Sequence, residues 1–392
     1  MRVLSISTLF PNPARPLFGI FVANSMKALA ARGVDLVMVN PIGLPPWPLS
    51  RREPYAGQRS IGDRSDLEGL TVHHPRFALI PKIGGDSNPA RIAAAVLPMA
   101  RRLHAEKPFD LVDAQFFFPD GPAAARIARA LGLPLSIKAR GADIHYWGSR
   151  PKARSQMLAA AGQAAGLLAV ARALADDMAE LGMPGDRITV HYTGLDHDRF
   201  KPLPRSEARA RFAELAGFAG PLLASVGALI PRKGQAFAIE ALALPGLQHA
   251  HLALAGAGED EPRLRDLAGR LRLGDRVHFL GQVDHARLPA LLAAADVMVL
   301  PSASEGLANA WIEALACGTP LVIPDIAGAR EVVQSPSAGR IAARDAGAIA
   351  AAVAELLAEP SSQAAVAANA AGFSWAANAE RLEAHYRRML SR

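Results

Sequence analysis

The sequence predicts an α/β protein built from two doubly wound parallel sheets. Short apolar runs, often rich in β-branched residues, alternate with longer alanine-rich stretches over most of the 392 residues. The alternation stops at the polar, proline-containing segment TGLDHDRFKPLPRSEAR (193–209) and then starts again. Strands that alternate with helices form parallel sheets covered on both faces, and a chain of this length exceeds one ordinary core. We therefore expect two Rossmann-like domains that face a cleft.

The apolar runs locate the strands of each predicted sheet. In the first half they are Val3–Ser7, Leu36–Asn40, Leu70–His73, Leu111–Ala114, Leu135–Lys138, Leu167–Val170 and Ile188–His191. In the second half they are Leu222–Val226, Leu252–Ala255, Val277–Leu280, Val297–Leu300 and Leu321–Ile323. The stretches between them predict helices such as Ile20–Arg32, Ala123–Leu131 and Pro262–Leu271.

The break in the pattern sets the predicted domain boundaries. We expect an N-terminal domain over 1–193 and a C-terminal domain over 194–372. The last segment, 373–392, has the periodicity of an amphipathic helix, and we expect it to pack back on the N-terminal domain.

Composition excludes several classes of protein. The single cysteine, Cys317, rules out an internal disulfide, so nothing indicates a disulfide-stapled secreted protein. The N-terminal run is typical of a buried first strand, because a signal peptide has a longer apolar region. No stretch approaches the roughly 20 apolar residues that span a bilayer. We expect a cytoplasmic protein.

The positive charge is concentrated in the first half of the chain. Residues 1–193 contain 23 Lys and Arg against 15 Asp and Glu, whereas residues 194–392 contain 20 against 21. Such a basic domain suits phospholipid headgroups, a lipid phosphate or nucleic acid. Solubility alone is the plainer explanation, and it stays open at this point. Nucleic acid is disfavoured, because the basic half lacks interleaved aromatics or a recognised module.

The segment SEGLANAWIEALACGTPLV (304–322) carries two glutamates around a short helix. The helix is predicted to begin near Leu307 and to stop before Gly318, so Glu305 lies in the preceding turn and Glu313 about two turns inside. A helix N-terminus after a parallel strand binds phosphate. Each carboxylate could accept hydrogen bonds from sugar hydroxyls, one from a ribose and one from a second sugar. This pattern indicates a sugar nucleotide, although two ordinary surface glutamates would look the same.

Two further segments follow predicted strands of the second half. SVGALIPRKGQ (225–235) places Arg232 and Lys233 where a leaving diphosphate could be neutralised. It is not a P-loop, because the GxxxxGK[ST] spacing is absent. LALAGAGEDEPRL (252–264) opens into a glycine-rich loop, which is typical of close backbone approach to a ligand.

Taken in order, these segments resemble a known family. Glu305 and Glu313 form an EX7E pair, and RKG, AGAGE, FLGQV (279–283) and YTGLDHDRF (192–200) occur in the order seen in retaining glycosyltransferases of family 4. The resemblance covers nearly the whole chain, is strongest from 190 to 335 and implies a GT-B fold. The details look like the branch that builds cell-surface polysaccharides, including teichuronic acid.

The resemblance implies a donor site in the C-terminal domain. Glu313 would bind the ribose, Glu305 the transferred sugar as a catalytic residue, and Lys233 the departing β-phosphate, with Arg232 as a helper. The implied donor-binding set is completed by Gly227, Gly256, Gly258, Glu259, Val283, Gly306, Leu307, Ala308, Asn309 and Ala310. The donor would be a UDP- or GDP-sugar acting as co-substrate, with no other cofactor and no metal. Transfer of the hexose would retain the anomeric configuration.

The resemblance places the acceptor on the N-terminal domain. Gly19 would let the backbone approach the reacting phosphate, and Gln115 would stand where many relatives have histidine. Arg140 and Asp143 are the catalytic candidates on this side, and His145 is a weaker one. Acceptors in this branch are often polyprenyl diphosphate-linked glycans, which implies peripheral contact of the basic domain with the inner face of the membrane.

Two departures from the family pattern leave alternatives open. Gln115 replaces the common histidine, and Ala228 stands where many members have arginine. A catalytically degenerate GT-B protein that binds a sugar nucleotide or a partner is therefore one alternative. A nucleotide-sugar epimerase is another, and the EX7E and RKG pair argues against it.

Overall fold

The computed structural model describes residues 1–53, 55–81, 84–212, 215 and 220–391. The chain divides into two compact units. The first unit is Met1–Gly194 together with Trp375–Arg392, and the second unit is Leu195–Ser374.

The first unit contains ten strands in its described residues. They are β1 (Arg2–Ile6), β2 (Asp35–Val39), β3 (Ile42–Leu44), β4 (Arg64–Leu67), β5 (Leu70–His73), β6 (Arg76–Ala78), β7 (Leu111–Ala114), β8 (Leu135–Ala139), β9 (Gly166–Ala169) and β10 (Ile188–Val190). Its helices are α1 (Ile20–Ala31), α2 (Ala56–Arg59), α3 (Asn88–Glu106), α4 (Asp120–Leu131), α5 (Pro151–Gln163), α6 (Arg172–Glu180) and the C-terminal helix (Trp375–Leu390).

Eight of these strands form one sheet in the order β10-β9-β8-β7-β1-β2-β5-β4. All neighbours are parallel except β4, which runs antiparallel to β5 at the edge. The strand order reverses between β1 and β7, and ligands of doubly wound sheets bind at such a switch point. β3 and β6 form a separate parallel pair.

The second unit contains six strands in its described residues. They are β11 (Leu222–Val226), β12 (His251–Ala255), β13 (Val277–Gly281), β14 (Val297–Val299), β15 (Leu321–Ile323) and β16 (Gly339–Ile341). Its helices are α7 (Arg205–Arg209), α8 (Gln235–Leu242), α9 (Glu261–Arg270), α10 (Leu288–Ala294), α11 (Asn309–Ala316), α12 (Ala329–Val332), α13 (Ala346–Ala358) and α14 (Gln363–Ala367). The sheet is parallel in the order β13-β12-β11-β14-β15-β16, so its switch point lies between β11 and β14. Following the chain order, the C-terminal helix is named α15.

The C-terminal helix belongs to the core of the first unit. Leu382 and Tyr386 are fully buried, and they share an apolar cluster with Met26 of α1 and Val3 of β1. Ser25 of α1 also donates a 2.6 Å hydrogen bond to the Asn378 amide oxygen of α15. The helix is thus part of the unit that starts the chain.

All twelve strands predicted from the sequence are present, with ends that differ by at most one residue. The fold class is confirmed as two Rossmann-like α/β domains. Four short strands were not predicted, namely β3, β4, β6 and β16. They are three or four residues long and mix polar residues or glycine with apolar ones, so their pattern does not stand out. Within the described ranges, no helix has both the length and the apolar character needed to cross a bilayer.

Candidate functional site

The loop after β11 places two cations at the switch point of the second unit. Pro231–Lys233 form a single 3-10 turn, and Gly234 follows in the left-handed region with φ 70° as the N-cap of α8. A Cβ atom at Gly234 would collide with the carbonyl oxygen of Pro301, at the end of β14. The glycine of the RKG motif therefore lets the two switch-point loops touch.

Lys233 and Glu305 form an ion pair between these two loops. Lys233 Nζ lies 2.5 Å from Glu305 Oε1, and the two side chains are only 14% and 11% exposed. Arg232 Nη1 lies 3.5 Å from the same oxygen and donates a hydrogen bond to the Ser304 carbonyl. The site thus holds two cations around one carboxylate.

The helix after Glu305 begins without a capping side chain, although Trp311 N in its first turn donates a 3.0 Å hydrogen bond to the Ala308 carbonyl. Ala308 is the N-cap of α11 in an extended conformation, and no side chain caps the helix. The first N–H groups of an uncapped helix, with its positive dipole end, favour an anion. The preceding Gly306 is held by backbone packing, since a Cβ at Gly328 would lie 2.6 Å from the Gly306 carbonyl oxygen. Gly306, Leu307, Ala308, Asn309 and Ala310 therefore lie in one turn beside the ion pair.

Glu313 lies inside α11, but about one turn from the helix start at Asn309 instead of the two turns predicted, and the residue is half-buried. Burial raises the pKa of Glu313 to about 7, and the charge of Arg199 lowers it only in part. A carboxyl with this pKa can change its charge near neutrality. When ionised it accepts hydroxyl hydrogen bonds at both oxygens, whereas the protonated form turns one of those oxygens into a donor.

The glycine-rich loops pack against each other through their backbones. Gly256 N donates a 2.8 Å hydrogen bond to the Gly281 carbonyl, and Gly227 N donates a 2.9 Å bond to the Ala255 carbonyl. A Cβ atom at Gly256 would collide with the Gly227 carbonyl oxygen, and Gly256 has φ 150°. These glycines are therefore required for loop packing, and they bring the ends of β11, β12 and β13 together.

The other residues predicted to bind the donor differ in how they contribute to the loops. Gly258 packs as Gly256 does, because a Cβ there would collide with the Leu229 carbonyl oxygen. Glu259 is exposed and Val283 is half-buried. Ala228 contributes only backbone, with its carbonyl accepting a 3.0 Å hydrogen bond from the Gln235 side chain.

The switch point of the first unit carries Gly19 on the loop after β1. Gly19 has φ 72° and is the N-cap of α1. A Cβ atom there would lie 2.5 Å from the Leu9 carbonyl oxygen. The turn therefore needs glycine at this position, and it presents the α1 N-terminus at the carboxyl end of the sheet.

Arg140 and Gln115 form a two-point contact at the ends of β8 and β7. Arg140 Nε donates a 2.7 Å hydrogen bond to the Gln115 carbonyl, and Nη2 donates a 2.8 Å bond to Gln115 Oε1. The guanidinium also lies 4.9 Å from the Phe21 ring centroid on α1. Burial lowers the pKa of Arg140 to about 10.

A hydrogen bond to Asp113 fixes the orientation of the Gln115 side chain. Gln115 Nε2 donates a 2.8 Å hydrogen bond to Asp113 Oδ2, which also accepts a 2.8 Å bond from the Ser5 hydroxyl. Burial raises the pKa of Asp113, and these hydrogen bonds oppose the shift. Asp113, Gln115 and Arg140 thus form one chain that aims the guanidinium.

Asp143 fastens two loops through backbone hydrogen bonds. Its carboxylate accepts bonds of 2.7 Å from Phe117 N, 2.9 Å from Arg140 N and 3.2 Å from Ile144 N. The side chain is fully buried. This geometry fits a positioning role, and a catalytic role for Asp143 stays a prediction. His145 instead points to the surface, where its Nε2 lies 2.9 Å from Asp177.

Two groups near this edge were missed by sequence reasoning. Asp120 is fully buried at the start of α4 and accepts a 2.8 Å hydrogen bond from Thr8 N, and burial raises its pKa to about 7. Lys138 is buried in β8, with Nζ 2.7 Å from His191 Nδ1. Asp120 could have been noticed in the PDG segment after a predicted strand, whereas the apolar run around Lys138 gives no such signal.

Comparison with known proteins identifies the families that the two halves of the chain match. Residues 19–199 match the family Glycosyltransferase Family 4, and residues 208–373 match the family Glycosyl transferases group 1. Two Rossmann-like domains covered by these matches define a glycosyltransferase of the GT-B class.

Individual relatives extend over most of the chain. The GDP-mannose-dependent alpha-(1-6)-phosphatidylinositol monomannoside mannosyltransferase of Mycolicibacterium smegmatis is 33% identical over 338 residues, which are 82% of this chain and 83% of that protein. The teichuronic acid biosynthesis glycosyltransferase TuaC of Bacillus subtilis is 26% identical over 338 residues, 84% of this chain and 82% of that protein. This chain belongs to glycosyltransferase family 4.

A solved structure agrees on the fold. The crystal structure of Anabaena HepE in complex with UDP-glucose has a TM-score of 0.72 and 21% identity, covering 100% of this chain and 99% of that one. The GT-B fold and the family predicted from the sequence are confirmed.

Proposed function

We propose that the protein is a retaining, metal-independent hexosyltransferase. It moves a sugar from a nucleotide-diphosphate donor to a glycan or lipid-linked acceptor in the biosynthesis of a cell-surface polysaccharide. The single observation that carries the proposal is the Lys233–Glu305 ion pair of 2.5 Å beside the uncapped N-terminus of α11. A diphosphate and a developing positive sugar need opposite charges a few ångströms apart, and this pair supplies both.

The donor diphosphate is expected at the cations and the helix end. Lys233, assisted by Arg232, would neutralise the charge that appears on the β-phosphate as its bond to the sugar breaks. The uncapped N–H groups of α11 would add backbone hydrogen bonds to the same group. These groups supply the positive charge that a metal ion gives in other transferases.

Glu305 is placed for the sugar that is transferred. Its second carboxylate oxygen can accept hydrogen bonds from sugar hydroxyls and stabilise positive charge at the anomeric carbon. When the bond from that carbon to the phosphate oxygen breaks, its electron pair goes to the phosphate. The acceptor hydroxyl attacks from the same face and gives its proton to the departing phosphate oxygen, so the configuration is retained.

The nucleoside would lie between Glu313 and the glycine loops. An ionised Glu313 would accept hydrogen bonds from the two ribose hydroxyls. The loops at Gly256–Glu259 and Gly281–Val283 would flank the base. The relatives support either base, since HepE was crystallised with UDP-glucose and the mannosyltransferase is GDP-mannose-dependent.

The acceptor would bind the first unit. Arg140, aimed by Gln115 and Asp113, is the group best placed for an anionic acceptor, and Gly19 would admit the reacting phosphate close to the backbone. The named relatives act in teichuronic acid biosynthesis and on a phosphatidylinositol mannoside. These names and the basic first half support a polyprenyl diphosphate-linked or similar acceptor at the cytoplasmic membrane face, reached by a peripheral protein.

A catalytically degenerate protein is the second candidate, and two residues favour it. Gln115 replaces a histidine common in the family, and Ala228 leaves the loop without a further arginine. Such a protein would bind the donor and leave it intact.

The test is a donor screen followed by product analysis. Thermal stabilisation by UDP-, GDP-, ADP- and dTDP-sugars would identify the base, and we expect a shift with a UDP- or GDP-sugar that is lost in Glu313→Ala. Donor hydrolysis with EDTA present, and NMR of the anomeric proton of the product, would then test metal independence and retention. A shift without any turnover, with and without membranes, would favour the degenerate reading.

A further inference from the structure

Exposed apolar side chains gather on the loops at the carboxyl end of the first unit's strands. Trp47 is 75% exposed, Leu17 62% and Tyr146 54%, which is unusual for large apolar residues. With their neighbours they form what we call the apolar rim, which consists of Leu17, Phe18, Trp47, Leu49, Ile80 and Tyr146. A group of exposed apolar side chains of this kind marks a candidate interaction surface.

The central part of the rim is continuous because two of its loops leave one strand pair. Leu44 at the end of β3 pairs with Ala78 at the end of β6, and Leu79 N donates a 2.9 Å hydrogen bond to the Leu44 carbonyl. Trp47 follows the first strand end and Ile80 follows the second. These side chains therefore emerge from neighbouring points of the same edge.

Aromatic packing extends this edge to Tyr146. A Cβ atom at Gly85 would lie 2.9 Å from the Trp147 ring, so the Gly85 backbone packs against that ring. The Trp147 and Tyr146 rings meet edge to face with centroids 5.1 Å apart. Arg150 lies with its guanidinium 4.3 Å from the Tyr146 centroid and donates to the Tyr146 hydroxyl.

Positive charge borders the rim on both sides. Exposed cations in the two flanking segments, 46–60 and 145–155, are Arg51, Arg52, Arg59, Arg150, Lys152 and Arg154. Glu53 is the one acidic residue in those segments. Two carboxylates outside them lie beside the second segment, namely the exposed Asp86, whose carbonyl accepts from Gln156, and Asp177, which pairs with His145. Cations remain in excess. Apolar side chains inside a border of arginine and lysine match an anionic lipid surface, in which the rings enter the interface and the cations meet the headgroups.

We propose that the apolar rim inserts into the interface of an anionic lipid bilayer, with Trp47, its most exposed side chain, and the nearby Leu49 among its anchors. Tryptophan and tyrosine favour this depth because their rings are apolar and their tips are polar. The proposal deepens the membrane contact in the proposed function and rests on it for the choice of partner. Insertion of the rim would hold Gly19 and Arg140 close to the membrane surface, where a lipid-linked acceptor lies.

The test is vesicle binding by the full-length protein. Binding to vesicles of phosphatidylglycerol and phosphatidylcholine is compared with binding to phosphatidylcholine alone, by sedimentation at low and at high salt. The apolar variant is Trp47→Ser with Leu49→Ser, and its matched control is Leu271→Ser with Leu390→Ser, two exposed leucines elsewhere. We expect the rim variant to bind at least about tenfold more weakly and the control to bind as the wild type does.

The charge variant has its own control. Arg51→Gln with Arg52→Gln should weaken binding by about fivefold per arginine at low salt, and the difference should fade at high salt. Arg381→Gln with Arg388→Gln removes the same charge from the exposed side of α15 and should change binding far less. Equal losses in both pairs would show a general charge effect and overturn the proposed surface.

Two further outcomes would also overturn it. The first is that the wild-type protein does not bind anionic vesicles. The second is that the protein forms a concentration-dependent dimer, and that the Trp47→Ser with Leu49→Ser variant is a monomer. The rim would then be the interface with a second copy of the chain. Donor hydrolysis in the absence of lipid separates this inference from the proposed function. A rim variant that hydrolyses donor normally but leaves vesicles supports the surface, whereas vesicle binding without any hydrolysis or transfer contradicts the function alone.

Discussion

The two Rossmann-like units use their switch points in opposite ways. In the second unit, the loops after β11 and β14 meet through glycine backbones and leave Lys233, Arg232 and Glu305 facing one another as charges. In the first unit, Asp143 and Gln115 are fully buried, and their polar atoms hydrogen-bond to backbone groups and to neighbouring side chains. We refer to the carboxyl ends of the strands at each switch point as the edge of that unit. The charges of the second edge can pair with a ligand, whereas the polar groups of the first edge hold its own loops in place.

Because the two edges differ in this way, we expect mutations in them to change the free energy of unfolding by different amounts. The Lys233–Glu305 pair is mostly buried, but Arg232 lies 3.5 Å from the same Glu305 oxygen, so loss of Lys233 does not leave the carboxylate without a cation and costs less stability than an unpaired buried charge. A buried carboxylate that satisfies several backbone N–H groups contributes much more, since its loss strands those donors. We therefore expect activity to depend on the second edge and stability on the first.

The largest expected effect is loss of transfer in the second unit. Lys233→Ala or Glu305→Gln should lower kcat by about a thousandfold, as removal of one preorganised charge at a developing ion does. The melting temperature should stay close to that of the wild type. Steady-state kinetics and thermal unfolding of the same preparations measure both quantities.

Two other outcomes would contradict the view that the second edge serves activity and the first edge stability. Near-normal kcat in both variants would remove Lys233 and Glu305 from the catalytic step. A large fall in melting temperature with intact kcat would mean that the ion pair is a structural link between the two loops.

The second prediction concerns Asp143 in the first unit. Asp143→Asn keeps the shape but turns an acceptor into a donor that faces backbone N–H groups, so it should destabilise the fold by about 2 kcal/mol. The matched control is Asp177→Asn, the same change on the exposed partner of His145, which should leave stability almost unchanged. Chemical denaturation of both variants measures the difference.

The result also bears on the role of Asp143. If Asp143→Asn unfolds at the wild-type midpoint but loses transfer, the carboxylate acts in the chemistry and the positioning role is wrong. Parallel losses of stability in both variants would point to a general intolerance of the substitution.

The sequence was sufficient for the second edge because its chemistry is local. Glu305, Glu313 and the RKG loop are contiguous motifs next to recognisable strands, and the structure places Lys233 and Glu305 in contact although they are 72 residues apart. The parallel order of the sheet is what joins them, since both loops leave the carboxyl ends of adjacent strands.

The first edge could not be predicted in the same way. The family resemblance picks out Gln115 and Arg140, but the hydrogen-bonded chain that joins them to Asp113 depends on side-chain rotamers and on burial, which no local motif encodes. Lys138 lies inside an apolar strand, and its contact with His191 depends on the pairing of distant segments. The apolar rim was equally hidden, because exposure of Trp47 follows from the loop path.

The smallest predicted effect is a pH dependence that links the two edges. Burial raises the pKa of Glu313 to about 7 and that of Asp120 to about 7, so both edges contain a carboxyl that titrates near neutrality. Of the two, only Glu313 belongs to the proposed donor site. As the pH falls below 7 the carboxyl gains a proton, so one oxygen becomes a donor and the charge that strengthens hydrogen bonds from the ribose hydroxyls is lost. Donor affinity should therefore fall, by about tenfold at pH 6 if the protonated form does not bind.

The pH profile of donor binding, measured by titration of the free protein, distinguishes the two carboxyls. Glu313→Gln should bind the donor weakly and with no dependence between pH 6 and 8, while Asp120→Asn should keep the wild-type profile. If the dependence instead vanishes in Asp120→Asn, the first edge controls donor binding through its loops, and the division of roles between the units fails. If Glu313→Gln keeps the full slope, the ribose contact assigned to Glu313 is wrong, because a neutral amide cannot lose a charge.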